Sequence, residues 1–133
     1  MGEGTSTPPA KTYRRYLEGG ILAFQRCGDC GRAVFYPRVL CPFCGGANLG
    51  WEESSGRGAV YATTAIHRRD SEPRNVCLVD LEEGFRMMSR IEGVPAESVR
   101  VGAPVRLRID ETEDGPVPFF VPDEAGASAG GAR

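Results

Sequence analysis

Two cysteine pairs, Cys27-x2-Cys30 and Cys41-x2-Cys44, are separated by the ten residues GRAVFYPRVL in a chain of 133. Each pair can form a knuckle that aims two sulfurs at one ion, and tetrahedral S4 coordination suits zinc or a single iron. Four protein thiolates fill such a shell and leave no position for a substrate water, so the expected cofactor is one structural zinc held by Cys27, Cys30, Cys41 and Cys44. A redox dithiol needs only one such pair. Gly28, Gly31, Gly45 and Gly46 sit inside or just after the pairs, where positive φ is expected so that amides can turn toward sulfur. The apolar run Ala33 to Tyr36 is long enough for a strand returning to the second knuckle. The segment reads as a zinc ribbon.

The other reactive side chains predict no catalytic centre. Cys77, in NVCLVDL, reads as a small core hydrophobe. His67 is the only histidine, and no serine or acidic pair stands at a spacing that would activate it as a general base. The formal net charge of −2 counts every thiol as neutral; one divalent zinc on four thiolates removes two further units, giving −4. That balance argues against nucleic acid as the principal partner. No segment approaches the roughly 20 apolar residues of a membrane span, and MGEGTSTPPA lacks the blocks of a signal peptide. The expected location is the cytoplasm, where five cysteines favour metal thiolates over disulfides.

The elements that position these residues are short. Residues 1–10 and 123–133 are small and polar and are expected to be disordered tails. Residues 11–20, KTYRRYLEGG, place Tyr13, Tyr16 and Leu17 on one side of a short helix that ends at two glycines. The ribbon is expected over residues 21–56 and a small antiparallel barrel over 57–122. Within the barrel, Gly58 to His67 alternates in the manner of a strand, Asn75 to Leu81 is a second, and Glu82-Glu83-Gly84 turns the chain into Phe85 to Ile91. Pro95 to Val99 suits one helical turn, and Pro104 to Ile109 and Val117 to Val121 complete five strands. That order is the order of an OB-fold. The predicted fold is mainly β: N-terminal helix, rubredoxin-like zinc ribbon, then a five-stranded OB-fold barrel, the two modules packed together.

In this order, LAFQRCGDCGRAVFYPRVLCPFCG, WEESSGRGAVYATTAIHR, VDLEEGFRMMSRI, VRVGAPVRLRID and PVPFFVPDE resemble a family of acyl-CoA-associated proteins, formerly of unknown function, built from a zinc ribbon and an OB-fold. The resemblance spans about residues 12 to 123. It implies a non-catalytic subunit of a thiolase-like enzyme in acyl transfer, thiolysis or retro-aldol cleavage, with Cys27, Cys30, Cys41 and Cys44 at the family's metal positions. A hotdog-fold acyl-CoA hydratase is the alternative partner, and a single-stranded nucleic-acid module the alternative class. The latter needs a basic groove and aromatic platforms, and the first strand carries only Tyr61. RRDSEPRN departs from the family by being short and basic where many members carry a longer apolar loop.

Two surfaces follow as candidates. Arg68, Arg69 and Arg74 could meet the phosphates of an acyl-CoA, or form a solvated rim. Phe119 and Phe120 are adjacent on a strand, so both cannot face inward; one is expected to be exposed or covered by a partner. Together with Tyr13, Tyr16 and Leu17 they are the expected partner interface.

Overall fold

Pro9 opens the first helix, α1 (Pro9–Glu18), where a missing N–H costs nothing and φ is already helical. The structure is a computed structural model that describes residues 8–123. The expected tails at 1–7 and 124–133 lie outside the described residues, while Pro9 and Ala10 belong to the helix. Gly20, at φ 84°, ends it: Gly20 donates to the Leu17 carbonyl and Ile21 to that of Tyr16, both at 2.9 Å, a Schellman closure.

Three strands form the ribbon: β1 (Ala23–Cys27), β2 (Ala33–Val34) and β3 (Leu49–Glu53), in the order β2-β1-β3, all antiparallel. The barrel contains β4 (Arg57–Arg68), β5 (Ser71–Leu81), β6 (Arg86–Ser89), a 3-10 turn (Ala96–Ser98), β7 (Pro104–Thr112) and β8 (Gly115–Pro122). Its sheet runs β6-β5-β4-β7-β8. A parallel bridge between Ile91 and Phe120 joins the two edges, with Glu92 donating to the Phe120 carbonyl at 2.9 Å and Phe120 donating to that of Arg90 at 3.0 Å. The first barrel strand pairs with both its neighbours by bending at an irregularity between Val60 and Ala62. The result is the nearly closed five-stranded barrel of an OB-fold.

Ribbon and barrel share one core. Leu17 of α1, Leu22 and Phe24 of the ribbon, and Val60, Val79, Phe85, Met87, Val105 and Phe120 of the barrel belong to a single buried cluster. Phe85 stacks on Phe24 at 4.7 Å and on Phe35 at 4.9 Å between ring centroids. The ribbon's own buried cluster is only Cys27, Val34 and Cys41.

Several expectations are corrected. Phe119 and Phe120 do alternate, yet both are buried, at 5 and 0 % exposure: Phe120 enters the core, and Phe119, facing the other way, is covered by the Arg90 guanidinium 4.8 Å from its ring centroid. RRDSEPRN is not a loop, because β4 and β5 stay paired to Arg68↔Ser71 and only Arg69 and Asp70 turn. The third barrel strand stops at Ser89, short of Ile91. Asp123 is buried, and its N–H donates to the Pro104 carbonyl at 3.0 Å, so it continues the β7–β8 ladder and is no part of a tail.

Candidate metal centre and surrounding surfaces

The two knuckles are built alike. Gly31 donates to the Cys27 carbonyl at 2.9 Å and Gly45 to that of Cys41 at 2.8 Å, and both glycines adopt φ 80°. Gly28 and Gly46 do not need positive φ; a Cβ there would strike the side chains of Asn48 and Asp29 respectively. Amides point inward, with Asp29 and Cys30 donating to Cys27 Sγ at 3.4 and 3.5 Å and Phe43 to Cys41 Sγ at 3.4 Å.

All four sulfurs lie within 4.8 Å of one another. Cys27 Sγ is 3.6 Å from Cys44 Sγ, and Cys30 Sγ is 3.7 Å from Cys41 Sγ. Sulfurs 2.3 Å from a common zinc sit about 3.8 Å apart at the corners of a tetrahedron, so the donor set fits one such ion. The crowded thiols differ in proton affinity. Burial raises the Cys41 thiol, but the amides of Cys44 and Phe43 and the neighbouring thiols outweigh it and bring it down to about 7. At Cys44 the Gly46 amide lowers the thiol, while sharing with Cys27, burial and the other two cysteines push it up to about 12. Four thiolates this close need a cation between them.

Outside the centre, Cys77 is a core residue, its thiol pushed up to about 11 by burial against the lowering effect of the Ser89 amide. His67 is exposed, its Nε2 3.3 Å from the Glu97 carboxylate. Arg68, Arg69 and Arg74 are exposed at the tip of the β4–β5 hairpin. Arg68 and Arg74 border a groove of about 1090 Å³ that also contacts Ile66, Met88 and Arg90; Arg69 does not reach it. The Tyr61 ring is capped by the Arg86 guanidinium at 3.4 Å, which removes one face from any stacking platform. Of the expected interface, Leu17 is buried, Tyr13 meets Phe35 edge-on at 5.6 Å, and Tyr16 lies 5.7 Å from Trp51. The helix face is turned onto its own chain.

Three features were missed in the sequence. Gln25 is buried and clamps Arg38, accepting from its N–H at 2.7 Å and donating to its carbonyl at 2.9 Å. Glu83 holds the link between the modules, accepting from Ser54 Oγ at 2.7 Å and the Ser55 amide at 2.6 Å. Tyr36, Val39, Leu40 and Phe43, in and just before the second knuckle, are each exposed. The signal for this patch was present: the stretch YPRVLCPF holds more apolar volume than a ribbon can bury.

Residues 18–50 match the model of the ChsH2 rubredoxin-like zinc ribbon domain, and residues 51–110 that of the ChsH2 C-terminal OB-fold domain. A DUF35 domain-containing scaffold protein of Methanocaldococcus jannaschii is 32 % identical over 78 % of this chain and 80 % of its own length. The chain belongs to the DUF35 family. A second DUF35 domain-containing scaffold protein, from Methanothermobacter thermautotrophicus, is 28 % identical over 85 % of this chain and 92 % of its own. A probable enoyl-CoA hydratase alpha subunit of Thermomonospora curvata is 32 % identical over 65 % of this chain, which spans 28 % of that protein. Among solved structures, a chain of the Ltp2-ChsH2(DUF35) aldolase superposes with a TM-score of 0.77 at 27 % identity, covering 87 % of this chain and 95 % of that one. This DUF35 protein thus carries a zinc-ribbon domain with a four-cysteine cluster that fits one ion, joined to an OB-fold. Among the described residues, no helix is long and apolar enough to cross a membrane.

Proposed function

We propose that this DUF35 protein is a non-catalytic accessory subunit of an acyl-CoA-processing enzyme, in which one zinc, held by Cys27, Cys30, Cys41 and Cys44, makes the ribbon a rigid docking module for a thiolase-like catalytic subunit. The observation that carries the reading is the closed S4 cluster. Its four protein sulfurs occupy the whole tetrahedron, so the metal serves shape and not substrate. Around it, the side chains that could attack or move a proton are engaged otherwise, with Cys77 buried in the core and His67 on the surface beside Glu97. The relatives' names, scaffold protein and aldolase, support the same role.

Arg68 and Arg74, at the groove beside Ile66 and Met88, are the residues that would reach coenzyme A phosphates at the mouth of the partner's site. Arg69, at the turn, would add to the field there. A hydratase partner is the second reading, favoured by the enoyl-CoA hydratase alpha subunit among the relatives.

The test is co-purification of the tagged chain from its native cell, with identification of the bound subunits and assay of acyl-CoA turnover. A thiolase-like subunit that turns over acyl-CoA only in the complex supports the proposal, and a hydratase subunit selects the second reading. Turnover by the pure chain alone would overturn both. In the complex, Arg68→Glu with Arg74→Glu should leave assembly intact and raise the KM for acyl-CoA in a salt-sensitive way; an unchanged KM returns these arginines to the solvated rim.

A further inference from the structure

We infer that the partner subunit seats on the second knuckle and the stretch leading into it, on Tyr36, Val39, Leu40 and Phe43 with Arg32 over the Phe43 ring, and that the surface it brings is apolar with carboxylates at its rim. This deepens the accessory-subunit reading and rests on it.

The four side chains are 50, 71, 54 and 54 % exposed, respectively. Single exposed hydrophobes are ordinary on a protein surface, but four within the eight residues 36–43 are a local concentration of the kind that marks an interface. The chain does not expose them for want of order. Gln25, buried beneath the loop, commits both ends of its amide to the Arg38 backbone, and Cys41 N–H donates to the Gly46 carbonyl at 2.8 Å. A surface held in place before binding loses little freedom on binding. A clamp of this kind, with a buried side chain spent on an exposed loop, has little use unless the shape of the loop matters.

Chemistry narrows the occupant. Arg32 lies 4.7 Å from the Phe43 ring centroid, which pairs the two residue types that dominate binding hot spots, an aromatic and an arginine. Between Cys30 and Trp51 the only charged residues are Arg32 and Arg38, and neither guanidinium meets a carboxylate among the described residues. In a chain of net charge −2, both charged side chains of this segment are therefore basic. The complement of these arginines is an apolar surface with Asp or Glu at its rim, and basic surfaces are disfavoured there. Beside the patch, a recess of about 640 Å³ between Phe43 and Pro42 of the knuckle and Phe85 and Arg86 of the barrel can take one protruding side chain.

The test uses the full chain and the co-purification above. Three variants are compared with wild type: Val39→Asp with Leu40→Asp, Phe43→Ser, and Val101→Asp, the last an equally exposed apolar residue outside the patch. Zinc content and far-UV circular dichroism of each report folding. Capture of the acyl-CoA-processing subunit should fall at least tenfold for the double variant and for Phe43→Ser with one zinc retained, and should be unchanged for Val101→Asp. Arg32→Gln with Arg38→Gln should slow association and flatten its salt dependence. If wild type captures no acyl-CoA-processing subunit, the proposed function fails. If it captures one and the folded knuckle variants capture it equally, or if Val101→Asp loses it to the same degree, the docking assignment alone is overturned. A wild-type dimer that the knuckle variants convert to monomer without loss of capture overturns it too, and assigns the patch to a second copy of this chain.

Discussion

Replacing Phe120 by alanine should destabilise the folded chain by about 3–5 kcal/mol, the range for truncating a fully buried aromatic, whereas Phe119→Ala should cost about 2 kcal/mol. The difference follows from what each ring touches. Phe120 is 0 % exposed and belongs to the cluster that holds Leu17, Phe24 and Met87 together. Its removal leaves a cavity where helix, ribbon and barrel meet. Phe119 points to the other side of β8 and owes its burial to the Arg90 guanidinium. Truncating it opens the site to water instead of enclosing a void, so only the transfer free energy of the ring is lost, with about 0.5–1 kcal/mol of cation–π attraction.

Urea unfolding followed by circular dichroism and Trp51 fluorescence, at fixed excess zinc, measures both costs; the zinc must be fixed because it stabilises the folded state by mass action. A double-mutant cycle with Arg90→Met should return a coupling near the cation–π value for Phe119 and none for Phe120. Equal costs for the two alanines, or a larger one at 119, would refute the assignment of faces. The same geometry forbids a shortcut. Phe120→Asp places a carboxylate in the shared core, so loss of partner binding there would report unfolding and not an interface.

Cys41→Ser should abolish zinc binding and unfold the ribbon, while Cys77→Ser should retain one zinc per chain by elemental analysis and cost about 1–2 kcal/mol in core packing. Glu83→Ala removes the acceptor for Ser54 Oγ and the Ser55 amide; it should cost about 1–2 kcal/mol and speed hydrogen exchange at Ser55 without loss of zinc. Gly58→Ala would press a Cβ against the Asp80 carbonyl and to 3.0 Å from Val79 Cγ1, so a thermal melt should show a loss of about 1–3 kcal/mol.

What could be read in the sequence was local, and what could not depended on contacts between distant segments. Cysteine spacing is set by the reach of one ion, and strand alternation by the pleat, so the ribbon and the five barrel strands were legible. The polar stretch RRDSEPRN looked like a loop because composition cannot report pairing. Pro73 is tolerated in β5 because β6 pairs only with Cys77 to Asp80, so the outer part of the hairpin has a free edge there. Phe119 was misread because its cover, Arg90, is brought to β8 only by barrel closure between Ile91 and Phe120. Gln25 and Glu83 act on residues 13 and 28 or more positions away in the chain, with no local signature. The knuckle patch is the instructive case. Apolar residues are expected inside, yet apart from Leu22 and Phe24, which enter the core shared with the barrel, the ribbon's buried cluster holds only Cys27, Val34 and Cys41. In such a module metal binding supplies the folding free energy that a core supplies elsewhere. Val39, Leu40 and Phe43 are thereby released from packing, and a metal-built loop can present to a partner the side chains that a core-built domain of the same size would have to bury.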